Sequence, residues 1–107
     1  RMATGRLGAN DMSAATNTTV YTAPADTYTI ASLNIVNRGN QAVAMRIAVS
    51  ASGTPTNAEW IEYDVEILAK GVLERTGIVL AATQNIVAYC SAANATAVCM
   101  GIETSTA

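Results

Sequence analysis

The stretch Gln41–Ser50 alternates with a period of two. Val43, Met45, Ile47 and Val49 fall on one side, and Ala42, Ala44, Arg46 and Ala48 on the other. A β-strand turns successive side chains to opposite faces, so this pattern fits a strand with one buried face and cannot form the apolar stripe of a helix. The same logic extends along the chain. Thr27–Asn37 places Ala31, Leu33 and Ile35 on one face with Ser32 and Asn34 on the other, and Glu59–Ile67 places Ile61, Tyr63, Val65 and Ile67 opposite Glu62, Asp64 and Glu66. Shorter β-rich runs occupy residues 18–22, 72–80, 86–90 and 96–102, separated by Pro24, Lys70-Gly71, Gln84-Asn85 and Ser91–Ala95. No window sustains helical periodicity for three turns. About seven short strands with turn signals roughly every ten residues predict an all-β, two-sheet antiparallel sandwich, of jelly-roll or Ig-like type. Asn37-Arg38-Gly39-Asn40 is expected to close a hairpin between 27–37 and 41–50, with Gly39 free to take positive φ.

Residues 1–16, RMATGRLGANDMSAAT, carry only Leu7 and Met12 as large apolar side chains beyond Met2. They read as an extended N-terminal arm outside the core, ahead of a sandwich domain at 17–107. In isolation such a segment reads equally as a disordered tail; inside an assembly it is expected to order on a neighbouring subunit, with Leu7 and Met12 buried in a groove and Arg6 paired to a carboxylate there. The start lacks the apolar core of a secretory signal, and no apolar run is long enough to span a membrane. Cys90 and Cys99 would lie opposite each other on a hairpin centred on Asn94 and Ala95, which leaves room for a cross-strand disulfide. Without a secretion signal they read as free, partly buried thiols.

The composition argues against several kinds of chemistry. There is no histidine, which removes the commonest general base and metal ligand. The six Lys and Arg residues are scattered and the net charge is −2, so no basic footprint for nucleic acid exists. Neither a phosphate-cradling glycine loop nor a nucleophile elbow is present. The row Glu62, Asp64, Glu66 could recruit Ca²⁺ or supply a hydrolytic carboxylate pair, but a strand face or an interface with ion pairs to Arg46 or Arg75 fits it better. The expectation is therefore a non-enzymatic chain with no cofactor and no metal. Only 13% of residues are charged, and sparse charge is a weak safeguard for a free monomer. A homo-oligomer or assembly partner follows, with Trp60, beside the acidic row, as an exposed anchor.

Several motifs are familiar together: RLGAxD, Tyr21-Thr22-Ala23-Pro24-Ala25, Asn37-Arg38-Gly39, Arg46-Ile47-Ala48-Val49, Ile61-Glu62-Tyr63-Asp64 and Gly71-Val72-Leu73-Glu74-Arg75-Thr76-Gly77. Over most of residues 5–103 the chain resembles small virion proteins of tailed bacteriophages, particularly cyanophage-like ones. The resemblance implies a β-sandwich located in the virion that decorates or cements a capsid by binding the major capsid protein, or one that belongs to the tail, neck or fibre. Cyclic association, a trimer among the options, fits such proteins. From a different class, a carbohydrate-binding module for host glycans would use Trp60 with Tyr21, Tyr28, Tyr63 and Tyr89. The contact residues expected on the virion reading are Arg6, Leu7, Met12 and Trp60.

Overall fold

In the computed structural model, which describes residues 3–107, eight strands account for nearly all regular structure: β1 (Thr4–Met12), β2 (Thr18–Thr22), β3 (Thr27–Asn37), β4 (Val43–Ser50), β5 (Trp60–Ile67), β6 (Val72–Leu80), β7 (Asn85–Cys90) and β8 (Ala95–Ser105). A single 3₁₀ turn at Asn57–Glu59 precedes β5. The strands form two four-stranded sheets in the orders β1-β8-β3-β6 and β2-β7-β4-β5, with every pairing antiparallel. The chain is thus an all-β sandwich, and these strand orders are those of an eight-stranded jelly roll.

This topology revises the expected pairings. β3 and β4 are the two clearest strands, but they lie in different sheets, so residues 38–42 cross the sandwich edge instead of closing a hairpin. Asn37 organises that crossing. Its buried amide donates to the carbonyls of Gln41, Ile67 and Leu68, and its Oδ1 accepts from the Gly39 amide at 2.9 Å. The side chain supplies the turn geometry, and Gly39 does not adopt positive φ. β7 and β8 likewise split between sheets, so Cys90 and Cys99 are not cross-strand partners. Both are buried free thiols, Cys90 beside Met45 and Cys99 beside Leu33. Among consecutive strands only β4 and β5 pair directly.

Alternation predicts the core well. Leu33, Ile35, Met45, Ile47, Leu80 and Ile86 are fully enclosed between the sheets, each contributing about 1.5–3 kcal/mol of apolar burial. A polar clasp also joins the sheets. The Tyr21 hydroxyl on β2 donates to Glu103 Oε2 on β8 at 2.5 Å and lies 2.8 Å from Thr29 Oγ1 on β3. Burial, reinforced by the Glu103 carboxyl, pushes the Tyr21 hydroxyl up to about 12.

The segment expected as an arm is, from Thr4 to Met12, the edge strand β1, hydrogen-bonded to β8 along its length. The absence of alternating large side chains conceals it in the sequence, because glycine and a bulge carry the packing instead. Leu7 is the extra residue between the Arg6–Met100 and Gly8–Cys99 pairs, and it packs against the core. Gly8 then lies so close to β2 that a Cβ there would meet the Val20 carbonyl oxygen at 2.2 Å. Only glycine lets the two edge strands approach in this way.

Candidate protein-binding surfaces

The two sheets present different outer faces. On the β2-β7-β4-β5 sheet, a bulge in β5 sets two residues, Tyr63 and Asp64, against the single Arg46 of β4: Met45 pairs with Val65, and Ile47 with Glu62. Asp64 takes φ of 52°, a left-handed conformation that Asp tolerates better than most residues. The bulge flips the register of the strand. Tyr63, expected among core residues, is turned outward and is more than half exposed. Its ring lies 4.2 Å from the Arg46 guanidinium carbon, Tyr89 lies 4.4 Å from the same group, and Trp60 packs edge-on against Tyr63 at 5.4 Å. Asp64 accepts from Arg46 Nε at 2.6 Å and fixes the guanidinium over the rings, which raises the Arg46 pKa above its usual value. The acidic row therefore does not share a face. Asp64 serves Arg46, while Glu62 accepts from Arg75 of β6 at 2.8 Å, linking the open edges of the two sheets. Among the described residues no group of three or more Cys, Asp or Glu is placed to hold a metal ion.

The outer face of the β1-β8-β3-β6 sheet is apolar. Register sets Val79, Ile30 and Ile102 side by side on three adjacent strands, with Thr4 completing the row. They are 62%, 52% and 56% exposed. Met100, Tyr28 and Val72 extend the patch along β8, β3 and β6, and all three remain exposed. Six large apolar side chains on one sheet face are more than isolated surface hydrophobes; contiguous patches of this kind mark interaction sites. Asn34 lies on the same face, and its Oδ1 is enclosed without a hydrogen-bond partner. Charge sits only at the margins, with Arg6 and Asp11 on β1, Asp11 paired to Arg38, and Glu74 on β6. A cleft of about 200 Å³ opens at one end of the sandwich between residues 37–43 and 92–94, and its lining holds no ionisable side chain.

The structure distributes the four expected contact residues unevenly. Arg6 is exposed at the margin of the apolar face. Leu7 is partly buried against the chain's own core. Met12 is 2% exposed inside that core, so its side chain is not available to a neighbour. Trp60 is half-buried in the aromatic cluster on the opposite sheet. The residues that build the apolar face, Ile30, Ile102 and Val79 above all, escape sequence reasoning that takes alternation only for its inward phase. The signal is there only in part: Thr96–Ile102 is apolar in both phases, the mark of a strand covered on both sides, whereas Thr27–Asn37 sets Tyr28, Ile30 and Val36 in the phase that also holds Ser32 and Asn34. No protein-family model matches this chain, and no curated protein matches it significantly.

Proposed function

We propose that this protein is a non-enzymatic structural component of a tailed-phage virion, a capsid decoration or cement protein that binds the outer surface of the head. The observation that carries the reading is the apolar outer face centred on Ile30 and Ile102, a surface suited to contact with protein, a neighbouring copy within the virion included, rather than to water. The motif resemblance to small phage virion proteins supplies the setting, and jelly rolls recur in viral capsid proteins, a fold-level analogy. A small, weakly charged sandwich suits repeated display. Many copies on one particle convert weak individual contacts into firm attachment through effective concentration.

Immunogold labelling of intact particles tests the reading. Gold over the whole head is the expected result. Gold confined to one vertex or the tail moves the protein to the neck, tail or fibre, and unlabelled particles refute a virion role. A glycan-binding role would draw on Trp60 and Tyr63, but Arg46 already lies over the Tyr63 and Tyr89 rings. On a glycan array no saturable binding is expected; binding abolished by Trp60→Ala would overturn that expectation.

A further inference from the structure

We infer that the apolar outer face of the β1-β8-β3-β6 sheet receives a second copy of this chain, forming a two-fold dimer in which the sheets pack face to face with the axis running along the strands between β8 and β3. This rests on the reading that the face binds protein, and it names the occupant. Two features of the register select a copy of the same chain.

The first is apolar self-complementarity. A two-fold axis parallel to the strands keeps height along the strand and exchanges left for right. It therefore sets β3 of one copy over β8 of the other, and β6 over β1. Ile30 and Ile102 are direct cross-strand partners and share one height. Each Ile30 thus meets the other copy's Ile102, and each Val79 meets the other copy's Thr4. One row further along, Met100 covers Ser32 of the facing sheet. Rotating the axis across the strands would instead superpose like strands and set Arg6 over its own edge.

The second is charge. Arg6 stands on the β1 margin in the Met100 row, and Glu74 stands on the β6 margin in the adjacent Asn34 row. Neither forms an ion pair among the described residues; the three pairs there are Arg38–Asp11, Arg46–Asp64 and Arg75–Glu62. The exchange of margins brings each Arg6 over the β6 edge of the other copy. It is then one row from Glu74, about 7 Å along the strand, which the long arginine side chain can span; Asp11, one row to the other side of Glu74, is held by its own Arg38. Two equivalent ion pairs then flank an apolar centre, the pattern of a charged rim around a hydrophobic core.

The area is also of the right order. The six exposed apolar side chains offer on the order of 500 Å² per copy, and the polar residues around them extend this toward the roughly 800 Å² per partner of a standard interface. Aligned sheet packing about 10 Å apart accommodates such a contact.

Sedimentation equilibrium of the full chain between about 1 and 100 µM tests the inference, alongside particle labelling. The expected species is a reversible dimer of twice the 11.0 kDa monomer mass. Ile30→Asp should weaken the dimer at least about 100-fold while leaving the circular dichroism and urea midpoint of a folded sandwich. Arg6→Glu and Glu74→Arg should each weaken it about tenfold, and the double reversal should restore it. A monomer at 100 µM, a trimer, or single reversals without rescue would overturn the inference. If a monomeric chain labels particles and Ile30→Asp abolishes labelling, the face belongs to another virion protein: the inference fails and the virion reading stands. If the dimer is rescued but labels no particle, the inference stands and the virion reading fails.

Discussion

Replacing Tyr21 with Phe tests how far the polar clasp, rather than apolar burial alone, holds the two sheets in place. The ring stays, so the hydrophobic contribution of this 8%-exposed side chain is nearly unchanged. The loss falls on two contacts, the 2.5 Å bond donated to Glu103 Oε2 and the 2.8 Å contact with Thr29 Oγ1. A hydrogen bond to a charged group is worth about 1.5–3 kcal/mol net, and one between hydroxyls about 1 kcal/mol. Glu103 does not lose every partner, because the Ala3 amide still donates to Oε1 at 3.0 Å. The Thr29 hydroxyl can also rotate. Together these give an expected destabilisation of about 2–3 kcal/mol. In urea that appears as a midpoint lower by about 1–2 M with an unchanged slope. Thr29→Val removes only the neutral contact and should cost about 1 kcal/mol. A Tyr21→Phe change below about 0.5 kcal/mol would refute the argument, because it would mean that the carboxylate is satisfied without the hydroxyl.

The same hydroxyl gives a pH signature. Its folded value, near 12, lies above the ordinary 10, so its contribution is complete below pH 10 and is lost as pH rises toward 12. The stability difference between the wild type and Tyr21→Phe should shrink over that alkaline window, and an unchanged difference at pH 12 would contradict it. Glu59 shows the opposite sign. Hydrogen bonds from the Thr56 and Ala51 amides and the Ser50 hydroxyl pull its carboxyl down to about 2. The stabilisation it gives to the 51–59 loop is present above its ordinary value and is lost as pH falls toward 2. Amide exchange of Ala51 and Thr56 should accelerate selectively at acid pH and, in Glu59→Gln, at neutral pH as well. Gly8→Ala should lower the melting temperature by several degrees, because its Cβ would sit 2.2 Å from the Val20 carbonyl oxygen; unchanged calorimetry would refute the close approach. Cys90 and Cys99 should resist a thiol reagent in the native protein and react together on unfolding, since both are enclosed and burial pushes the Cys99 thiol up to about 11. Reaction of either thiol before unfolding would contradict that packing.

Period-two alternation, with β-rich runs between turn residues, is enough to place seven of the eight strands and most of the core, because burying one face of a strand demands that pattern whatever its partner. Leu33, Ile35, Met45 and Ile47 are legible for that reason. Which strands pair is not, since alternation specifies an inward face but not a sheet. β3 and β4 read as a hairpin, yet the Asn37 amide bonds carry the chain across to the opposite layer. β1 is hidden because its packing relies on a glycine approach and a bulge rather than on a row of large side chains. Alternation puts Tyr63 on the wrong face because a single extra residue with positive φ at Asp64 inverts the register beyond it, and no composition signal announces a bulge. The exposed apolar face is written in the sequence only in part, as Tyr28, Ile30, Val98, Met100 and Ile102 in the phase opposite the core residues. Only the tertiary structure could show it uncovered, because whether a second apolar face is buried depends on what the rest of the chain lays over it, and here nothing described lies over Ile30, Val79 and Ile102.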